Sequence, residues 1–298
     1  MAFNITSTYA GEDVGAWIMK ALVGGDTLAA NAVTLIPNIK YKSIVNRLIV
    51  GNLLQADSCA WNEQGTVTID ERALFPAAHK VNQSLCVTDL EQTWISANMR
   101  AGALNDDIPA PLNEFIVEMM IKRIAGDIDA LIWNADSGVT DEFDGIITKL
   151  VSDGGYLAPA IPAAITSANV IAYLQEMYDL IPAEIIMDDD MCIFVSNKVA
   201  KLYKQAVATV SAEKYFVGDV ELDFLGIKII PIRGLGENQI IMTTVSNLFV
   251  GTDLESDFAE IRTIDMRETT GDDTLRFKMR FKLDAQYGYA DQVVLNTI

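Results

Sequence analysis

Residues 111–134 carry one long amphipathic pattern that limits the folds this chain can adopt. Their sequence, PLNEFIVEMMIKRIAGDIDALIWN, repeats apolar residues at spacings of three and four, as in an α-helix that is buried along one side. Pro109 and Pro111 mark its beginning, and Asp136 follows its end. A helix of this length spans roughly 36 Å, about twice the mean for globular proteins. Its predicted buried side comprises Leu112, Phe115, Ile116, Met119, Ile124, Ile128, Leu131 and Ile132.

The composition indicates a chain with enough apolar residues for a large core. Hydrophobic residues make up 50% of the chain, and its length of 298 residues predicts two lobes or one elaborated domain. No apolar run reaches the length of about 18 residues that a membrane helix needs, and the start lacks the basic segment of a signal peptide. The three cysteines, Cys59, Cys86 and Cys192, are widely spaced. They favour a reducing compartment and small buried side chains over disulfides.

The charge of the chain is strongly negative and unevenly distributed. The formal net charge is −19, and residues 101–200 carry 17 acids against 4 bases. Such a surface repels nucleic acid rather than binding it. The simplest interpretation of this charge, taken alone, is solubility.

The N-terminal third contains segments with little core of their own. Residues 1–40 are predicted to form an extended arm, and residues 41–54 fit either a helix or a strand. Residues 55–93 contain the strand-like runs Thr66–Ile69 and Ser84–Val87, which predict a long two-stranded excursion. A loop of this length is unusual inside a compact domain, so its partner surface is expected on another chain.

An α/β lobe of about a hundred residues is predicted after the long helix. Two helices are expected, one that begins at Ser167 and ends at Ile181, and one over Asn197–Val207 with Ser196 as its cap. The strands Ile227–Ile232 and Gln239–Thr243 are expected to be joined by a turn at Gly234–Gly236. Further short strands are predicted at Glu184–Met187, Cys192–Val195 and Leu248–Val250.

The C-terminal part reads as a long hairpin whose second strand separates cations from apolar residues. Phe258–Arg267 and Thr274–Leu283 are the two strands, joined by a turn. Arg276, Lys278, Arg280 and Lys282 alternate with Phe277, Met279, Phe281 and Leu283. Like charges that neighbour each other on one face of a sheet repel, so an acidic partner is expected opposite.

No residue pattern predicts a catalytic, cofactor or metal site. His79 is the single histidine, which leaves no histidine triad or two-histidine metal site, and it is expected on the surface or in a loop. The run Asp188–Asp190 could bind a hard cation, but a solvated turn is favoured. The acidic turn Asn134–Gly145 lacks EF-hand spacing. Gly234 and Gly236 lie between two strands, where a nucleotide fingerprint does not belong. An enzyme is therefore disfavoured.

The order of these parts resembles the major capsid protein of tailed bacteriophages, with the α+β Hong Kong 97-type capsid fold. The stretch IAGDIDALIWNADSG resembles the end of the family's spine helix, FLGIKIIPIRGLGENQIIM its axial-domain hairpin, and LRFKMRFKLDAQYGYADQVV its last peripheral strands. The resemblance implies the following division: an N-terminal arm at 1–40, the E-loop with flanking peripheral-domain elements at 41–100, the spine helix at 101–144, the axial domain at 145–250, and closing strands of the peripheral domain at 251–298.

This resemblance implies a structural protein of the virion that assembles with itself, as hexamers and pentamers, into an icosahedral shell. The shell would enclose double-stranded DNA without sequence-specific binding, and it would assemble in the host cytoplasm. Scaffold, portal and decoration proteins are further partners that the family implies, and no cofactor is expected. The cation strand would meet acids of the middle third across an interface. The predicted inter-subunit contacts are Trp61, Glu63, Arg72, Arg276, Lys278, Arg280 and Lys282.

Two alternatives remain open at this point. An encapsulin-type shell shares the fold but encloses a cargo protein instead of a genome. A metabolic enzyme of α/β type is the less favoured alternative. The size of the purified particle and its nucleic acid content distinguish the three. The family's covalent cross-link between subunits is not expected, because no lysine and asparagine pair aligns.

Overall fold

A computed structural model describes residues 26–57, 59, 61, 63–86, 110–138, 143–160, 164–210, 222–253, 262–266 and 270–297. Its α-helices are α1 Asp26–Ala29, α2 Ala110–Asn134, α3 Ile146–Asp153, α4 Val170–Leu180 and α5 Asn197–Val210. Its strands are β1 Thr34–Ile36, β2 Ser43–Val50, β3 Val67–Leu74, β4 Ala77–Cys86, β5 Met191–Ser196, β6 Asp223–Phe224, β7 Ile227–Ile232, β8 Ile240–Thr244, β9 Leu248–Thr252, β10 Arg262–Asp265, β11 Thr274–Tyr287 and β12 Val294–Asn296.

The strands form two five-stranded sheets and one two-stranded ribbon. In the main sheet, β11 pairs with β4 along one edge and with β10 and β9 in succession along the other, and β1 lies beyond β9. The lobe sheet has the order β12–β8–β5–β7–β6. The ribbon consists of β2 and β3 alone. The chain is thus a mixed helix and sheet protein, as the sequence predicts.

The long helix predicted at 111–134 is confirmed as α2. Ile124, Ile128 and Ile132 are buried as expected, while Leu131 is half-buried. Trp133, which the pattern left out, is completely buried. The solvent side carries two ion pairs between residues four apart, Glu118 with Lys122 and Arg123 with Asp127. Each such pair stabilises a helix by about 0.2–0.5 kcal/mol. This is a small addition to the stabilisation that α2 gains from its buried side.

The lobe sheet is buried on both faces and separates two apolar clusters. One face packs on α2, where the Phe194 and Trp133 rings lie 5.7 Å apart. The other face packs on α4 and α5 through residues such as Ile193, Leu174 and Val199. Because both faces are covered, every residue of β5 is buried, which explains its uninterrupted apolar sequence.

The C-terminal hairpin of the sequence prediction is confirmed in the described residues. β10 runs antiparallel to the first part of β11. Along β11 the aromatic and aliphatic residues from Phe277 to Leu283 are buried, while Arg276, Lys278 and Arg280 are exposed. Residues 258–261 and 267 of the predicted first strand lie outside the described residues.

The two-stranded excursion lies in a different place from the one predicted. Its strands are β2 and β3, so the ambiguous segment 41–54 is a strand and the ribbon spans residues 43–74. Of the run predicted at Ser84–Val87, the residues up to Cys86 belong to β4, which pairs with β11 over ten residue pairs, and Val87 lies outside the described residues. The reason is burial, because β4 covers the core with Ala77 and Val81 while β3 has no such contacts over most of its length.

Three predictions inside the lobe are wrong. Ser167 does not cap α4, which begins at Val170 after a turn, and Asn169 precedes it. The predicted strand Glu184–Met187 is a turn, in which the backbone N–H of Ile185 donates to the carbonyl of Pro182. β7 and β8 do not form a hairpin, because β5 inserts between them. By contrast, Ser196 does cap α5, since its Oγ accepts the Val199 N–H at 3.3 Å.

Two single residues also differ from expectation. His79 is not on the surface or in a loop, because it lies in β4 and its ring stacks 5.4 Å from Phe281. Cys59 is exposed and only Cys192 is buried, whereas all three cysteines were expected inside.

Both ends of the described chain join the body in ways that the sequence did not indicate. Residues 26–40 belong in part to the main sheet through β1, and Thr27 and Ala32 are completely buried. The last strand, β12, pairs with β8 of the lobe sheet. Within the part of the chain that the structure describes, no helix has the length and apolar character needed to cross a membrane.

Candidate subunit interface

Five cations whose side chains the structure describes share the outward side of the main sheet. Residues that are directly opposite in an antiparallel pair lie on the same side, and the register places Arg280 opposite Lys80 and Lys278 opposite Asn82. Lys80 therefore joins the four cations of β11. We call this surface the cation face, and it consists of Arg276, Lys278, Arg280, Lys282 and Lys80.

One end of the cation face is neutralised within the chain. The Lys282 Nζ lies 3.2 Å from one carboxylate oxygen of Asp253, and the Lys40 Nζ lies 3.1 Å from the other. Lys282 also donates to the backbone carbonyl of Lys40 at 3.0 Å. Burial alone would raise the pKa of Asp253, but the hydrogen bonds from the two lysines lower it below its ordinary value. The sequence predicted an acidic partner for the cations of β11. Asp253 is that partner for Lys282, and it pairs with no other cation of β11.

The remaining four cations have no acidic partner among the residues that the structure describes. Arg276, Lys278, Arg280 and Lys80 are exposed, and none of them forms an ion pair with a described side chain. Like charges at these spacings repel each other. A negatively charged partner would therefore reduce the repulsion among these four cations and would itself be attracted to them.

The ribbon presents an exposed apolar face. Alternation and register place five large side chains on the same side, and each is 44–68% exposed. They are Ile44, Leu48, Val50, Val67 and Ile69. Leu48, Val50, Val67 and Ile69 are contiguous, and a contiguous exposed apolar surface marks an interaction site in soluble proteins.

The ribbon tip, residues 51–66, adds exposed apolar residues and an excess of acid. Leu53, Leu54 and Trp61 are 53%, 86% and 91% exposed. Asp57 and Glu63 are exposed, and residues 48–69 contain no lysine or arginine. The predicted contacts Trp61 and Glu63 both lie here, on a surface that has no cover within the described chain.

The base of the ribbon is held to the body by polar contacts. The Arg72 guanidinium lies 4.2 Å from the ring centre of Tyr287 and 2.6 Å from Asp153, to which the Tyr287 hydroxyl donates at 2.7 Å. Further out, the Tyr289 hydroxyl lies 3.2 Å from the backbone N–H of Leu48. Burial and the Asp153 carboxylate raise the pKa of Tyr287 to about 12, so the hydroxyl stays protonated at neutral pH.

The structure separates the seven predicted contact residues into three groups. Arg276, Lys278 and Arg280 lie together on the cation face without described partners, whereas Trp61 and Glu63 lie on the ribbon tip. Arg72 and Lys282 have acidic partners inside the subunit, namely Asp153 and Asp253. That these seven residues contact a neighbouring subunit remains a prediction. Sequence reasoning missed Lys80, because only the β4–β11 register brings it beside Arg280.

The fold that carries these surfaces is that of phage capsid proteins. A protein of Gordonia phage Cozz superposes with a TM-score of 0.60 at 14% identity, over 90% of this chain and 85% of that one. The satellite phage P4 procapsid gives a TM-score of 0.56 at 11% identity, over 94% and 97% of the two chains. A virus-like particle from Pyrococcus furiosus gives 0.54 at 11% identity, over 96% and 98%.

The likeness is one of fold rather than of sequence. No protein-family model matches the chain, and no curated protein matches it either. The matches cover nearly the whole length of both chains, so the similarity is not limited to one short substructure.

Proposed function

We propose that this chain is the major capsid protein of a tailed phage, which assembles with itself into an icosahedral shell around a double-stranded DNA genome. The observation that supports this most is the match over nearly the full length to a procapsid protein and to a virus-like particle. The uncovered ribbon and the unpaired cations of the described chain fit a subunit that completes its packing against identical neighbours.

Each part of the fold then takes a role in the shell. Residues 1–40 would include the N-terminal arm, and the ribbon within 41–100 would be the E-loop. The helix α2, within 101–144, would be the spine of the peripheral domain. The lobe within 145–250 would be the axial domain, and the strands of 251–298 would close the peripheral domain, although β12 pairs with the lobe sheet.

The charge of the chain suits a container for DNA. With a net charge of −19, a wall of this protein repels the phosphate backbone, so the packaged genome would not adhere to it. Hexamers and pentamers would be the assembly units, with the virion as the final location and the host cytoplasm as the place of assembly. Scaffold, portal and decoration proteins are the further partners that this role implies.

A shell that holds protein cargo is the second candidate function. The match to the virus-like particle from Pyrococcus furiosus supports this candidate, because that particle comes from a cellular organism rather than from a phage. The match covers 96% of this chain and 98% of that one, with a TM-score of 0.54. Both candidates require self-assembly, and they differ in what the shell contains.

Purification of the full chain followed by size exclusion and negative-stain electron microscopy tests self-assembly. Closed particles of megadalton mass are expected. Protein that remains monomeric at every salt and protein concentration tested would contradict the proposal. The ratio of absorbance at 260 and 280 nm, with and without nuclease, separates the two candidates. Nuclease-resistant DNA in particles formed in infected cells supports the phage capsid, and a co-purifying enzyme supports the cargo shell.

A further inference from the structure

We infer that a pocket at one edge of the lobe binds a phosphate monoester, which is a small molecule that carries one phosphate group on an organic body. The pocket lies between α5 and the edge of β7 and has a volume of about 410 Å³. It is lined by five residues of α5 together with Leu222 and Pro231. This site goes beyond the proposed shell function, which does not require a ligand in the lobe.

The pocket exists because the strand β6 is shorter than its neighbour β7. β6 pairs only with Ile227 and Lys228, the first two residues of β7, and the Ile229 N–H then donates to the Leu222 carbonyl at 2.7 Å. Beyond that bond, β7 has no strand partner on this side among the described residues. The N–H of residue 231 would point to the same open edge as that of Ile229, and Pro231 has none to leave unpaired. The open edge leaves space beside α5.

The helix α5 has two neighbouring stripes, one apolar and one polar. Val199, Tyr203 and Ala206 form the apolar stripe, which is buried in the core of the lobe. Ala200 belongs to both stripes, since it is buried and also lines the pocket. The polar stripe lies beside the apolar one at the helical spacing of three and four residues, and it lines the pocket with Asn197, Lys201, Lys204 and Gln205.

The four polar side chains of this stripe have no partner in the chain as described. Lys201 and Lys204 form no ion pair there, and the amides of Asn197 and Gln205 form no hydrogen bond. By contrast, the Nζ of Lys198, on the same helix but outside the pocket, lies 2.7 Å from a carboxylate oxygen of Glu237. Two ammonium groups and two amides that line one space without protein partners are available to a ligand.

The charge around the pocket is positive, although the chain as a whole carries a net charge of −19. Residues 191–212 contain three lysines and no acid. Asp223, which follows the lining residue Leu222, lies directly opposite Lys228 in the strand pairing, so a cation beside it offsets its charge. A phosphate monoester carries about −1.5 to −2 charges at neutral pH, which two ammonium groups can balance. The pocket therefore attracts a dianion of this kind.

The lining groups favour a phosphate on an organic body over other anions. The planar fork of arginine suits carboxylates best, whereas lysine binds phosphate as a point charge. The amides of Asn197 and Gln205 both donate and accept, which suits the hydroxyl groups or ring nitrogens of an organic body. Leu222 and Pro231 add apolar surface. The volume of about 410 Å³ lies within the range of about 300–1,000 Å³ typical of small-molecule sites, and inorganic phosphate alone would not fill it.

Isothermal titration calorimetry of the full chain at physiological salt tests the site. The probes are adenosine 5′-monophosphate, ribose 5-phosphate and inorganic phosphate. Saturable binding of one monoester per subunit is expected, with a higher affinity than that of inorganic phosphate. Lys201→Gln with Lys204→Gln should weaken monoester binding about tenfold or more, because each change removes a charged hydrogen-bond donor. Gln205→Trp, at an exposed position, keeps both charges and should abolish binding by filling the pocket.

The matched control removes the same charge from the cation face. Lys278→Gln with Arg280→Gln should bind both monoesters like the wild type, and circular dichroism should show that every variant is folded. An equal loss of affinity in this control would mean general attraction of anions and would overturn the site. The absence of saturable binding by the wild type would overturn it too, as would unchanged binding by the pocket variants.

The comparison of the three probes tests the role of the organic body. Equal affinities for inorganic phosphate and for both monoesters would show that the amides and the apolar wall contact nothing, which contradicts the inference. Binding is measured per subunit, whether the protein is assembled or not. A failure to form particles would therefore contradict the proposed function alone, and a failure to bind would contradict this inference alone.

Discussion

Three buried aspartates, Asp129, Asp253 and Asp284, hold together segments that are distant in sequence. Asp129, on α2, accepts the backbone N–H groups of Thr27 at 2.9 Å and Gly234 at 2.8 Å. Asp284 accepts the Phe75 N–H at 2.7 Å and pairs with Lys149 at 2.9 Å. Buried carboxylates are stable only when they are fully paired, so each one fixes the position of its partners. The body of this chain is therefore specified by polar contacts as well as by apolar burial.

Asn in place of Asp253 should destabilise the subunit by about 1–3 kcal/mol, because two lysines lose their shared carboxylate. The pKa of Asp253 lies below its ordinary value, so its contribution to the free energy of unfolding is present above pH 4 and is lost as the pH falls through the folded pKa. Urea unfolding at pH 7 and pH 3 measures this. The deficit should appear at pH 7 and shrink at pH 3, and an equal deficit at both values would contradict the ion-pair argument.

Tyr287→Phe should change the alkaline limb of the stability curve. The raised pKa of Tyr287, about 12 against an ordinary value of 10.0, means that the folded state favours the protonated phenol. Its contribution is therefore complete below pH 10 and is lost as the pH rises from 10 through 12. At pH 7 the variant should lose about 1 kcal/mol with the hydrogen bond to Asp153. Between pH 9 and 11 its stability should fall less steeply than that of the wild type.

At the scale of elements, the sequence predicted the helices and strands in which buried residues recur at the regular spacing of that type of element. Buried residues follow a helical spacing in α2, an unbroken run in β5 and a strand-like pattern in β7 and β11. The type of each element therefore follows from the hydrophobicity of its own residues. The ribbon did not follow from this rule. Its strand β2 exposes Ile44, Leu48 and Val50, so the apolar residues that usually mark a core lie on its uncovered side.

Contacts between distant elements could not be predicted in the same way. Lys80 joins the cation face because β4 pairs with β11, which is far away in sequence. Similarly, β5 separates β7 from β8 because it pairs with both of them. A local pattern contains no information about such a register. The three exposed cations of β11 were found because strict alternation is itself local, whereas the partners of Arg72 and Lys282 inside the subunit were missed.

Two glycines associated with α2 should respond in opposite directions to alanine. At Gly234, a Cβ atom would clash with the backbone oxygen of Asp129, so Gly234→Ala should cost about 3 kcal/mol by forcing the β7–β8 turn away from the helix. At Gly126, in the interior of α2, a Cβ would meet nothing within 4 Å. Gly126→Ala should therefore stabilise the subunit by about 0.8–1 kcal/mol.

Thermal unfolding of the two alanine variants beside the wild type measures this contrast. The melting temperature should fall for Gly234→Ala and rise for Gly126→Ala. A Gly234→Ala variant as stable as the wild type would mean that the turn does not press against α2 as closely as the structure has it.

At the scale of the whole molecule, the contacts that stabilise the described chain lie mainly in its body and not in the ribbon. The two apolar clusters, α2 and the three buried aspartates belong to the body of the chain. The ribbon contributes the polar contacts of its base and the buried side chain of Leu74. Its outer face and tip bury little within the subunit. A part that adds exposed apolar surface without adding to the core is costly for a monomer, and it becomes favourable once a neighbour covers it.

Replacement of residues 47–70 by an Asn-Gly turn tests this separation. Asn46 and Glu71 face each other across the ribbon, so a two-residue turn can close the strands there without disturbing β4 or the Arg72–Asp153 contact. The shortened chain should keep its circular dichroism and a cooperative unfolding transition within about 1 kcal/mol of the wild type, since few apolar contacts are lost. It should elute as a monomer and form no shells. Closed particles from the shortened chain would show that assembly does not depend on the ribbon, and an unfolded product would show that the ribbon belongs to the core.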